Sequence, residues 1–162
     1  MTKIDLLYAL KEFSEDVYAN MMLPCKPDLK VGGNERNVQI YLTHLPTTSA
    51  STKFAPYVLH SIITGEDSQN EGEDERSFAV VRTIFCTYDT NEEQGGLALL
   101  TLVERLRIEL LRKRVLANRF QLEIPKAPLQ MLIYPDNVAP FYVAEMSSTW
   151  RLPAVEREVD YG

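Results

Sequence analysis

Reactive side chains are scarce in this 162-residue chain: two cysteines, two histidines, one tryptophan and seven glycines. Cys25 lies beside Pro24 and Cys86 inside an apolar run, without Cys-x-x-Cys spacing. That argues against a disulfide framework or a thiol metal site, and a reducing compartment is the natural setting. Cys86 reads as a small buried hydrophobe, and the sequence gives Cys25 no role. His44 and His60 have no second histidine, cysteine or paired carboxylate at ligand spacing, so zinc has little support. His60 falls within apolar Tyr57–Ile63 and reads as a hydrogen-bonded core or interface histidine before a general base. The hydrolase elbow Gly-x-Ser-x-Gly, the phosphate loop ending in Gly-Lys-Ser/Thr and the dinucleotide pattern Gly-x-Gly-x-x-Gly are all absent. No apolar run approaches the roughly 20 residues that span a bilayer. The first residues carry Lys3, Asp5 and Lys11 where a secretory signal would need an apolar core, so a soluble chain without a membrane partner is expected. Positive charge is also in deficit. Seventeen Lys and Arg against 23 Asp and Glu give a net charge of −6, which argues against sequence-independent nucleic-acid binding.

What is present suits a single soluble domain, with 45% hydrophobic and 25% charged residues. Leu6, Leu10, Phe13 and Val17 share one face of a helix expected over Ile4–Tyr18. Pro24 to Asn37 reads as a connector, Val38 to Leu42 as a strand, and Pro46 to Lys53 as a polar loop. Phe54 to Thr64 reads as a strand covered on both faces. An acidic loop over 65–77 follows, then a strand over Phe78–Tyr88 with Phe78, Val80, Ile84, Cys86 and Tyr88 on one face. Thr90 and Glu93 fit a capping box, with Asp89 as an alternative cap. The helix they open would run to about Arg114, with Leu99, Leu102, Val103, Leu106 and Leu110 inward. Gly95 and Gly96 near its start each cost about 1 kcal/mol of helix propensity and mark a close approach or an irregular first turn. Shorter strands are expected at Gln121–Ile124 and Leu129–Tyr134. In a last one, Phe141–Leu152, the residues Tyr142, Ala144, Met146, Ser148, Trp150 and Leu152 share a face. A charged tail, 154–162, closes the chain. The expected class is α+β: a single domain, 1–162, with a mainly antiparallel β-sheet carrying two helices on one face.

Two charge concentrations remain. Asp67-Ser68-Gln69-Asn70-Glu71-Gly72 begins like a calcium loop, but its twelfth position is Phe78 where a bidentate Glu is required. The loop's carboxylates are too solvated for acid/base work. Neither a catalytic residue, a cofactor site nor a metal site is therefore expected. Arg105, Arg107, Arg112, Lys113, Arg114 and Arg119 form the basic concentration, with Glu104 and Glu109 interleaved as in a solvated helix face with local ion pairs. The sharper alternative is an inter-subunit contact. In it the basic helix end, Arg112, Lys113 and Arg114, meets the acidic loop residues Glu71, Glu73, Asp74 and Glu75 of a neighbouring copy.

From Val38 to Pro153 the order and spacing of several groups resemble the tail terminator (tail completion) proteins of long-tailed bacteriophages. They are Leu45-Pro46, Pro56-Tyr57-Val58, Gly65, Tyr88-Asp89, Gly95-Gly96, the Leu102–Arg107 helix, Phe120, Pro140-Phe141-Tyr142, Met146 and Trp150. The resemblance implies a virion structural protein without catalytic residues. It would form a homo-hexameric ring that caps the finished tail tube, stops its polymerisation and meets the head-completion connector. Its partners would be other copies of itself, the major tail tube protein and the connector, with DNA passing through without specific binding. Its place would be the head-proximal end of the tail, after assembly in the host cytoplasm. The alternatives are a head-closure or neck protein of the same virion, or a small monomeric ligand-binding or enzymatic α+β domain using a pocket between sheet and helices.

Overall fold

The computed structural model describes residues 1–27, 34–46 and 55–159. The first helix, α1 (Lys3–Val17), opens on a capping box: the Thr2 hydroxyl accepts from the Asp5 N–H, and the Asp5 carboxylate accepts from the Thr2 N–H. It buries Leu6, Leu7, Leu10 and Ser14, with Phe13 and Val17 packed at the margin. Two short strands, β1 (Met22–Pro24) and β2 (Glu35–Asn37), then pair antiparallel as a separate two-stranded sheet. The sequence reading has only a connector there, because three-residue strands carry almost no period-2 signal. Residues 28–33 of that connector, 47–53 of the polar loop and Phe54 lie outside the described residues.

The main sheet contains β3 (Gln39–Leu42), β4 (Tyr57–Ser68), β5 (Arg76–Tyr88), β6 (Val115–Leu116), β7 (Phe120–Leu122), β8 (Gln130–Ile133) and β9 (Phe141–Leu152). Its order is β3-β4-β5-β9-β7-β6, with β8 also on β9. Only the β3–β4 pair is parallel. The second helix, α2 (Glu92–Lys113), packs on β5 and β9, while α1 packs on β3 and β4. This is the expected single α+β domain with a mainly antiparallel sheet.

Leu99, Leu102, Val103, Leu106 and Leu110 of α2 are all buried, as their spacing predicts. So are Tyr142, Ala144, Met146, Ser148, Trp150 and Leu152 of β9. Cys86 is fully buried too, in a small second cluster with Ala55, Tyr57 and Leu59.

Four expectations need correction. The acidic loop is shorter than 65–77, because Gly65–Ser68 and Arg76–Ser77 are paired in register as arms of the β4–β5 hairpin. Backbone pairing with side chains in water tolerates charge that sequence polarity reads as loop. The cap of α2 is Asn91, whose side chain accepts from the Gln94 N–H at 3.1 Å, while Asp89 accepts from the Asn91 N–H. Thr90 is not the cap. β4 is covered on both faces only over Tyr57–His60, and Ile63 is 52% exposed. In β5 the face named from sequence lies away from the helices, and the main core takes Ala79, Val81 and Phe85. Two threonines disguised that inner face. Thr83 is bonded to His60, and Thr87 donates to the Gly95 carbonyl.

Gly95 is a close-approach glycine. A methyl there would run into the buried Tyr142 ring, whereas one on Gly96 would meet open space.

Candidate functional site: an assembly surface

The acidic residues stand on the turn between β4 and β5, where Gly72 takes φ +79° and lets the chain reverse. Glu71, Glu73, Asp74 and Glu75 are all exposed. Glu73 is used within the turn: its carboxylate accepts from Asn70 Nδ2 at 3.0 Å and pairs with Arg76 at 3.1 Å. Glu71, Asp74 and Glu75 make no ion pair among the described residues. Asp67 and Ser68, the start of the calcium-like pattern, belong to β4 rather than to this turn. Among the described residues no group of three or more His, Cys, Asp or Glu could hold a metal ion.

The basic residues end α2, where cations complement the helix dipole. Arg112 pairs with Glu109 at 2.7 Å, and Lys113 Nζ sits 5.6 Å from the centre of the Phe13 ring. Arg114 closes the helix at φ 65° and donates from Nε to the Leu111 carbonyl at 2.9 Å. About two turns back, Arg107 grips both Glu104 oxygens, at 3.0 and 2.8 Å. The face is thus laced by local pairs, which at this exposure stabilise it little. Among the described residues no ion pair joins the acidic turn to the basic helix end. Both groups are presented outward and separately.

The buried histidine and the buried cysteine are committed to the fold. His60 is fully buried, with Nε2 2.8 Å from Ser14 Oγ and Nδ1 2.7 Å from Thr83 Oγ1. Burial pulls its pKa down to about 3, so the ring is neutral and ties α1 to β4 and β5. Burial also pushes the Cys86 thiol up to about 11, leaving little thiolate at neutral pH. On the helix-free face, Arg82 reaches Glu145 at 2.8 Å and the Tyr134 hydroxyl at 3.1 Å. A cross-strand pair thus explains the charge that interrupts the β5 pattern. An open groove of about 560 Å³ runs between α1 and α2, not between sheet and helices, and includes Phe13, Asp16, Arg105, Ile108 and Lys113.

The sequence reading missed exposed apolar side chains. Leu97 (52%), Leu100 (40%) and Ile108 (41%) lie on the outward side of α2, and Met131, Leu132 and Ile133 cover β8. The signal was available for α2, whose apolar residues recur on both sides of the helix rather than on one stripe.

No family model matches the chain, and no curated protein matches it. Several solved structures are similar, among them one, whose name describes no function, that matches over 97% of this chain and 99% of its own at 9% identity and a TM-score of 0.52. That likeness shows the fold alone.

Proposed function

We propose that this chain is a tail terminator, a structural protein that closes as a homo-hexameric ring on a finished phage tail tube and joins it to the head connector. The observation that carries the reading is the pair of charged patches of opposite sign, Glu71, Asp74 and Glu75 on the hairpin turn and Arg112, Lys113 and Arg114 at the end of α2, both exposed and not joined within the chain. A ring needs one patch to meet a different patch on the next copy, so that rotation closes the circle. The residue pattern from Val38 to Pro153 supplies the family, and the exposed leucines of α2 supply surface for larger assemblies. A net charge of −6 suits a channel that DNA traverses without being held. Salt screens the charged contact over a Debye length of about 8 Å, so the free subunit is monomeric when dilute and closes on the tail.

The test is to remove this protein from the particle's genome and image the products. Overlong or unjoined tails beside filled heads are the expected outcome, and normal tails on defective heads would move the protein to head closure. Reversing the turn with Glu71→Lys, Asp74→Lys and Glu75→Lys should reproduce the tail defect while leaving the fold intact.

A further inference from the structure

Besides its terminal strands β3 and β6, the main sheet has two open stretches of edge among the described residues, and they are finished differently. β3 covers β4 only as far as His60, so Ser61–Ser68 is an edge among the described residues. That edge carries a register shift between Ile62 and Thr64 and the charges Glu66 and Asp67. Irregularity and charge are how sheets discourage an added strand. β8 has neither. Its four residues, Gln130-Met131-Leu132-Ile133, are uncharged, exposed and in unbroken register with Ser147–Ala144 of β9, and no described strand lies on their outer side. The Tyr134 N–H donates to the Val143 carbonyl. By the alternation of an antiparallel ladder, Leu132 and Gln130 also bond to β9, so Met131 and Ile133 turn their N–H and C=O outward. β8 is a bare template.

The same chain carries an unused strand. After Leu152 the residues 153–159 belong to no strand and make no backbone hydrogen bond among the described residues. Val155 is 79% and Val159 62% exposed. They alternate as Val155, Arg157 and Val159 against Glu156 and Glu158, the period of a strand with two valines on one side and two acids on the other. The arm cannot fold back onto its own β8. It leaves β9 at the end paired with Ser77, β7 occupies the intervening edge at Trp150–Arg151, and Ala154 and Val155 lie beside Asp67, Ser68 and Arg76 of the hairpin.

We propose that residues 154–159 of one copy add as a strand to the open edge of β8 of a second copy, with the Val155, Arg157, Val159 side laid along Met131 and Ile133. Arm and edge are different patches, so the contact is heterologous and can propagate around a ring. The proposal deepens the ring reading by naming a contact between copies. It is read by cross-linking, whereas the terminator role is read by tail length, so either can fail alone.

The experiment mixes two full-length chains, one carrying Ile133→Cys and the other Val155→Cys or Val159→Cys, both with Cys25→Ser, under mild oxidation at millimolar concentration. A disulfide needs the Cα atoms within roughly 7 Å, so cross-linked pairs that require both chains are expected. Adding Met131→Pro to the first chain removes only an outward N–H, which an edge strand tolerates. This variant should melt like its parent and lose at least nine-tenths of the cross-link. Absence of the cross-link, or equal cross-linking with the Met131→Pro chain, overturns the proposal.

Discussion

Met146 and Met131 face each other across β9 and β8, yet the first is 1% exposed and the second 41%. Their neighbours Ala144 and Ile133, also in register, differ in the same way at 0% and 38%. Residue type does not decide this, and neither does strand propensity, since both strands are in one ladder. What differs is cover: α2 packs on β5 and β9, while β8 lies one strand further out. A β-strand becomes core only where a second layer reaches it. The apolar character of β8 is thus unused in the single subunit and available to a neighbour.

Truncating both methionines in the free subunit should break this symmetry most strongly. Met146→Ala leaves a cavity beneath α2 and should cost about 2–5 kcal/mol, read as a lowered urea midpoint. Met131→Ala removes atoms that already touch water and should change stability by less than about 0.5 kcal/mol. Similar losses at both sites would mean that β8 is covered in the isolated chain.

The two glycines of α2 sharpen the contrast on a smaller scale. Gly95 lies against the Tyr142 ring and Gly96 faces open space. Gly95→Ala should therefore cost about 1–3 kcal/mol by overpacking. Gly96→Ala should stabilise by up to about 1 kcal/mol, because helix propensity is then the only term. Thermal melts of the two variants should move in opposite directions.

Much of this was legible from spacing. The inward leucines of α2 and the full alternation of β9 follow from periods of 3.6 and 2, and the β9 boundaries are as expected. The β5 face was misread because Thr83 and Thr87 are polar residues whose hydroxyls are satisfied inside, and sequence shows the hydroxyl without its partner. The helix end was legible as a solvated face with local ion pairs, as Arg107–Glu104 and Arg112–Glu109 show, whereas the charges of the turn did not reveal that Glu73 is held by Arg76. The β8 edge was not legible, because exposure there depends on which strand α2 stops at, a long-range fact with no local pattern.

His60 gives the finest test of how closed the covered side is. Its ring is fully buried between Ser14 and Thr83, and burial lowers its pKa to about 3 from an ordinary value near 6.5. Between those values the unfolded chain holds a proton on this site that the folded chain does not. Stability from the neutral ring is therefore complete above pH 6.5 and falls as the pH drops toward 3, by up to about tenfold in the folding equilibrium per pH unit. Carboxylates titrate in the lower part of the same range, so the useful quantity is the difference between the native protein and His60→Gln, whose amide keeps a donor and an acceptor but takes no proton. Urea titrations of both proteins at pH 7, 6 and 5 should show the folding equilibrium constant of the native protein, relative to the variant, falling by nearly tenfold between pH 6 and 5, a loss of about 1 kcal/mol. A difference independent of pH would mean that the folded protein admits a proton to this ring, and that the layer joining α1 to the sheet is open where Met146 and its neighbours are closed.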